Sequence, residues 1–141
     1  MSDFVVDASV VLTWCFPDEH SAEAGRILDL MRTPGSRAVV PAFFHHEVLN
    51  ALLMGERRNR ITAAAASEFM LDVLTLPFAP VSPDPEKMKA IEDLSRKHAL
   101  TAYDATYLEL AMRLGLPLAT FDKALLRASI PEAIQILGSS G

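Results

Sequence analysis

Four acidic residues stand where carboxylates can do chemistry. Asp7 directly follows the apolar run Phe4-Val5-Val6, and Asp122 follows Leu118-Ala119-Thr120. Glu47 lies near the start of a helix-like segment in His45-His46-Glu47-Val48, and Asp104 is the third residue after Thr101. Each has an ordinary explanation. Asp7 and Asp122 can cap the segments that follow them. Glu47 complements the positive end of a helix, and Asp104 fits a capping box. The conjunction says more, because two acids after strands and two in first helical turns can all meet at one end of one sheet. Two carboxylates about 6 Å apart repel by about 3 kcal/mol at an effective dielectric near 20. Several such pairs rival the ~5–15 kcal/mol stability of a domain. A cluster of this kind must hold protons or bind a cation, and oxygen-only ligands suit Mg²⁺ or Mn²⁺ rather than zinc.

The elements that would position these acids follow from apolar runs and punctuation. Phe4–Val6, Ala38–Val40, Leu118–Thr120 and Ile134–Ile136 read as short buried strands, with Phe78–Val81 as an extended piece. Helices are expected over Glu19–Arg32, Phe43–Arg57, Thr62–Leu74, Asp84–His98, Thr101–Leu114 and Asp122–Ala128. In the second of these, Val48, Leu49, Leu52 and Leu53 are expected to face inward. Gly115 and Pro117 stop the helix that carries Asp104. Short apolar strands alternating with helices predict a three-layer α/β/α fold around a mainly parallel sheet. In such sheets ligands bind beyond the carboxyl ends of the strands.

The chain has 141 residues, half of them hydrophobic and 22% charged, which suits one domain with a sizeable core. Residues 1–137 are expected to form that domain, with Gly138-Ser139-Ser140-Gly141 as a flexible tail. Thirteen basic against eighteen acidic residues give a net charge of −5, so binding to nucleic acid driven by net charge alone is not expected. The single cysteine, Cys15, excludes an intramolecular disulfide and a multi-cysteine zinc site. No apolar run reaches the roughly 18 residues of a membrane span, and the opening MSDFVVD does not read as a signal peptide. A soluble, cytoplasmic protein is expected.

The remaining chemistry-bearing residues read more plainly. His45-His46 lacks the spacing of a helical zinc motif, and His20 and His98 are expected at the surface. Trp14, Cys15 and Phe16 are expected in the core. Tyr103 and Tyr107, one turn apart, are read as packing. Glu56-Arg57-Arg58-Asn59-Arg60 is the one dense basic cluster, explained either by the end of its helix or by a substrate groove.

Taken in order, four fragments resemble the PIN-domain ribonucleases, above all the VapC-type toxins of bacterial and archaeal toxin–antitoxin pairs. They are Val5-Val6-Asp7-Ala8-Ser9-Val10, Pro41 followed by Glu47-Val48-Leu49-Asn50-Ala51-Leu52, Ala102-Tyr103-Asp104-Ala105-Thr106-Tyr107-Leu108, and Leu116-Pro117-Leu118-Ala119-Thr120-Phe121-Asp122. The resemblance covers nearly the whole chain. It implies a metal-dependent endoribonuclease in which Asp7, Glu47, Asp104 and Asp122 bind Mg²⁺ or Mn²⁺, with Asp7 and Asp104 as the strongest ligands. It places Ser9 and Thr120 as hydroxyls beside those acids, able to orient them or simply to cap. It also implies a homodimer and a VapB-like antitoxin seated in an apolar groove near the site. Met54, Phe69, Met70, Leu71 and Leu74 would supply apolar surface for it. Many relatives carry another acid near the fourth; here Lys123 follows Asp122, which leaves the number of metals open.

Three rival readings are separable. A phosphatase using Asp7 as nucleophile would carry a second aspartate two residues on, where this chain has Ser9. A response receiver would end a later strand in an aspartate, where this chain has Val39-Val40-Pro41. A non-catalytic, metal-stabilised RNA- or protein-binding module on the same fold is separated only by assay.

Overall fold

The computed structural model describes residues 2–137; the expected tail, 138–141, lies outside the described residues. Five strands, β1 (Phe4–Val6), β2 (Ala38–Pro41), β3 (Phe78–Val81), β4 (Leu118–Ala119) and β5 (Ile136–Leu137), form one sheet in the order β3-β2-β1-β4-β5. Every pairing is parallel. β1 is central, with Val5 opposite Val39 on one side and Leu118 on the other. Its three residues are fully buried, as a strand covered on both faces must be.

Among the described residues seven α-helices connect the strands: α1 (Ala8–Thr13), α2 (Ala22–Met31), α3 (Phe44–Arg57), α4 (Ala63–Leu74), α5 (Met88–His98), α6 (Ala102–Leu114) and α7 (Lys123–Ser129). From β1 the chain steps one way to β2 and β3, then returns across the sheet to β4 and β5. Right-handed crossovers therefore put α1–α4 on one face and α5–α7 on the other. The contacts follow this division, α1 packing on α2 and α3, α3 on α4, and α6 on α5 and α7. The sense of winding reverses between β1 and β4, which opens a crevice at their carboxyl ends.

Helix ends are set by identifiable residues. Ser21 caps α2, Thr62 caps α4 and Thr101 caps α6, each hydroxyl accepting an N–H three residues on. Gly115 ends α6 at φ 66°, the left-handed conformation that favours glycine. The chain then enters β4 within three residues. The N-terminus of α6 consequently lies at the end of the sheet where strands finish.

Several expectations are corrected. The segment Ala8–Thr13 is helical although no helix was expected there. Its β-branched residues disfavour helix on propensity, but Val10 and Val11 are fully buried and packing prevails. The expected Glu19–Arg32 helix is broken: a 3₁₀ turn over Pro17–Glu19 precedes extended His20, and Ser21 starts α2 afresh. The helix expected over Asp84–His98 begins with a 3₁₀ turn, Pro85–Lys87. The last strand is Ile136–Leu137, not Ile134–Ile136. Val48 and Leu52 face inward, while Leu49 and Leu53 are more than a third exposed. His98 is not a surface group. Its Nε2 lies 2.6 Å from Glu132 Oε2, and Lys97 Nζ lies 2.8 Å from the same oxygen.

Leu52, fully buried in α3, connects the helix layer to the core. Leu52→Ala is expected to lower unfolding free energy by about 2–5 kcal/mol, read from urea denaturation midpoints.

Candidate active site

Asp7 stands at the first position beyond β1, and the residue is 4% exposed. Asp7 Oδ1 accepts from Ser9 N–H (3.0 Å) and from the Ser9 hydroxyl (2.5 Å). Asp7 Oδ2 accepts from the Thr120 hydroxyl at 2.6 Å. Both hydroxyls are themselves fixed from the loop after β4. Ser9 Oγ accepts from Phe121 N–H (2.9 Å), and Thr120 Oγ1 accepts from Asp122 N–H (3.0 Å). With backbone N–H groups occupying one lone pair of each hydroxyl, each hydroxyl proton is directed at Asp7. Ser9 and Thr120 thus bind the end of β1 to the end of β4 through one carboxylate. The helix caps are Asp7 and Asp122 themselves; Ser9 and Thr120 do not cap, and their hydroxyls orient Asp7.

The other three acids arrive at the same place. Asp122 caps α7 through Leu125 N–H (2.9 Å). Asp104 lies in the first turn of α6, its N–H bonded to Thr101 Oγ1 at 3.1 Å. Glu47 lies in the first turn of α3. Asp7, Ser9, Glu47, Asp104 and Asp122 line one pocket of about 230 Å³, together with Ala8, Leu12, Ala51 and Tyr107. The expected convergence is therefore present. Tyr107 was read from the sequence as packing alone, and the structure corrects this. The ring is buried and stacks edge-on with Phe43, but its hydroxyl donates to Glu47 Oε1 at 2.5 Å. Its position one turn beyond Asp104, on the same helix face, was the available signal. Tyr103 is mostly exposed and packs edge-on against Phe43.

The electrostatics follow from burial first and neighbours second. Burial raises Asp7 from the usual carboxylate range to about 7, against the lowering by Ser9 and Thr120; Asp122 and Glu47 raise it further. Burial also raises Glu47, with Asp104 adding to the shift and the Tyr107 hydroxyl opposing it. Asp104 is raised by burial and then by Asp122. The repulsions run Asp7–Asp122–Asp104–Glu47–Asp7, a closed ring of like charge. The Tyr107 hydroxyl is pushed far up by burial and by Glu47, so it remains a donor.

All the ligating atoms on offer are carboxylate oxygens, which fits a hard divalent cation. Among the described residues no three acid, histidine or cysteine side chains form a ready-made cage. Mg²⁺ keeps several waters and is held by one or two carboxylates rather than by an all-protein cage, so the donor set is compatible with it. A separate cavity of about 110 Å³ behind Phe43 is mostly apolar, and its Glu109 is neutralised by Arg113 at 2.8 Å; it lacks the acid cluster.

Comparison with known proteins bears on the fold and the family. A family model described as PIN domain matches residues 4–131. The chain is 32% identical over 123 residues to Ribonuclease VapC3 of Pyrobaculum aerophilum, covering 86% of this chain and 90% of that one. It is similar to a crystal structure from Pyrobaculum aerophilum at TM-score 0.71 and 25% identity, covering 96% of this chain and 83% of that one. It shares its fold with a toxin–antitoxin complex from Klebsiella pneumoniae at TM-score 0.61 and 16% identity, covering 95% of each chain. It also shares its fold with VapC20 of Mycobacterium tuberculosis, a sarcin–ricin-loop-cleaving toxin. That match has TM-score 0.62 and 16% identity, covering 89% of this chain and 94% of that one.

The raised carboxylates have a thermodynamic consequence. An acid whose proton affinity rises on folding favours the folded state below its unfolded value and loses that contribution as pH rises through the folded value. For Asp7 the window runs from 3.8 to about 7, with Glu47 and Asp104 shifted in the same direction. In chelator, the unfolding temperature of Asp104→Asn relative to the unchanged chain is expected to rise between pH 5 and pH 8. Mg²⁺ is expected to stabilise the unchanged chain more at pH 8 than at pH 5. Differential scanning fluorimetry of both proteins across this range reads both effects.

Proposed function

The chain belongs to the PIN domain family, and from that premise we propose that it is a divalent-metal-dependent endoribonuclease acting as the toxin of a toxin–antitoxin pair. The observation that carries the reading is the fixed Asp7 carboxylate, gripped through both oxygens and sharing one pocket with Glu47, Asp104 and Asp122. The similarity to a ribonuclease along nearly the whole chain supports the RNA-hydrolysing activity. The neighbours solved as toxins support the biological role.

In this reading Asp7, Glu47, Asp104 and Asp122 hold Mg²⁺ or Mn²⁺, directly or through water. When bound, such an ion activates water and neutralises charge on the phosphoryl and leaving oxygens. Ser9 and Thr120 keep Asp7 in one orientation, and the Tyr107 hydroxyl does the same for Glu47. Asp7 already accepts three protein hydrogen bonds. Glu47 and Asp104 are half-exposed, and their proton affinity is raised. They are the carboxylates suited to take the proton of the attacking water. RNA cleavage with Mg²⁺ or Mn²⁺ is expected to stop on chelation. Asp7→Asn and Asp104→Asn are each expected to reduce it by about a hundredfold or more, with circular dichroism unchanged. Full activity in either variant overturns the assignment of roles. Metal-dependent RNA retention by the unchanged chain without any cleavage would favour the non-catalytic binding module instead.

The partner reading rests on α4. Its sequence, AAAASEFMLDVL, is strongly apolar, yet only Ala66 and Val73 are buried. Leu71 and Leu74 are 65% and 58% exposed, and Leu49 and Leu53 on the adjoining α3 are more than a third exposed. An apolar helix face of this kind suits a partner helix, and we assign it to the antitoxin; a second copy of the chain would pair elsewhere to form the proposed homodimer. Leu71→Glu with Leu74→Glu is expected to abolish co-purification with the antitoxin while RNA cleavage continues. Retained co-purification moves the antitoxin to another surface.

A further inference from the structure

A cleft of about 620 Å³ opens from the acid pocket and runs between α1, the C-terminal half of α3 and the start of α7. The two spaces share Ser9, Leu12, Ala51 and Asp122, so a chain leaving the carboxylates on this side enters the cleft at once. Its volume lies within the ~300–1,000 Å³ of small-ligand pockets, the scale of a nucleotide unit rather than of a duplex.

The lining has two parts. Phe16, Phe121, Leu12 and Met54 are apolar. Phe16 lies against α3 at Gly55, where a Cβ would stand 3.1 Å from the ring; the glycine admits the aromatic. Arg58, Arg60 and Lys123 supply positive charge. Arg60 is already committed, its guanidinium 4.2 Å over the Phe16 ring and bonded to Asp18 and Glu19. Arg58 and Lys123 are exposed, and among the described residues neither forms an ion pair. Two uncommitted cations therefore border a partly aromatic cleft that is continuous with a ring of carboxylates.

We propose that this cleft holds the single-stranded RNA backbone on one side of the scissile bond, with Arg58 and Lys123 each contacting a phosphate on that side of the one that is cut. The inference rests on reading the acid pocket as the RNA-cleaving site, and it adds the residues that bind the substrate. A phosphodiester chain continues beyond its cleaved bond, so positive charge beside the acids is needed to hold the phosphates that follow into the cleft. Phe16 is buried beneath Arg60, whereas Phe121 is partly exposed and suits an unstacked base of a single strand. This arrangement also explains how a chain of net charge −5 holds an anion: charge is read locally, over a distance of about 10 Å at moderate salt.

The test uses a short fluorescent single-stranded RNA with the full chain. Binding is measured by anisotropy in the Asp104→Asn background, and cleavage in the otherwise unchanged chain with Mg²⁺. Arg58→Gln with Lys123→Gln is expected to weaken binding about tenfold or more and to raise KM more than it lowers kcat. The log–log salt dependence of binding should become shallower by about 0.7 per lost contact. Arg26→Gln with Arg32→Gln, which removes the same charge from α2 and its end, is expected to leave both quantities near those of the unchanged protein. Equal loss in this control would reduce the effect to net charge and overturn the proposal. Unchanged KM and salt slope in the cleft variant also overturn it, even if the enzyme cleaves RNA. Loss of antitoxin binding alone makes the cleft a protein site and overturns it as well. RNA that binds through Arg58 and Lys123 but is never cut removes the nuclease reading and leaves the cleft as a binding groove.

Discussion

A carboxylate withdrawn from water at the end of the central strand is the constraint around which this fold is arranged. Asp7 is placed there by topology: β1 is flanked by β2 and β4, and the winding reverses beside it. Burial alone would make its charge prohibitive, so the surroundings compensate with hydrogen bonds. Those bonds come from Ser9 on α1 and Thr120 after β4, each hydroxyl held in turn by a backbone N–H of the β4–α7 loop. The same contacts join the carboxyl ends of β1 and β4, beside the points where Asp7 and Asp122 cap α1 and α7. Among the described residues no buried side-chain nitrogen or oxygen lacks a hydrogen-bond partner. Hydrogen bonding at the site is thus satisfied, whereas charge is not, because Asp122, Glu47 and Asp104 close a ring of repulsion with Asp7. A polar network in that condition is stable enough to be preorganised and still favours a cation.

Much of this was legible in the sequence because the acids are attached to strong local signals. Asp7 and Asp122 follow short apolar strands, while Glu47 and Asp104 fall in the first turns of long helices. Element type at those points is set by local pattern. The convergence follows from one further rule, that strands of a parallel sheet all end on the same side. What was not legible depended on packing between distant segments. Helix α1 contains three β-branched residues in six and forms because Val10 and Val11 are buried, which periodicity over so short a run does not reveal. Leu49 and Leu53 share the apolar character of Val48 and Leu52 yet point outward, because α3 is apolar on more than its core face. His98 is drawn from solvent by Glu132, thirty-four residues away.

Tyr107 shows the same limit within the site. Its sequence position, a turn after Asp104, is equally consistent with a packing residue, and its ring does pack on Phe43. Only the approach of α3 to α6 gives the hydroxyl a partner in Glu47. The pair then has a physical logic that neither residue shows alone. Glu47 is raised by desolvation, and a phenol that remains protonated stabilises its ionised form without adding charge. A lysine in that place would bring a full positive charge and compete with a metal for the carboxylate. Tyrosine supplies the hydrogen bond and leaves the negative potential of the pocket intact.

That potential poses the final difficulty for an enzyme acting on a polyanion, since the ring which attracts a cation also repels phosphate. The separation of charge in space resolves it. Negative charge is concentrated at the carboxyl ends of β1 and β4, where a divalent ion would neutralise it. Uncommitted positive charge is displaced along the cleft to Arg58 at the end of α3 and Lys123 at the start of α7. Both positions follow from the fold. Arg58 closes α3, where the helix dipole favours a cation, while Lys123 immediately follows the acid that caps α7. The bland explanation of the Glu56–Arg60 cluster, charge at a helix end, and the functional one are therefore compatible: the dipole tolerates Arg58 where the cleft can use it. On the proposed path, contacts at Arg58 and Lys123 would position the substrate for the acids, and the overall negative charge of the chain has little influence at that range.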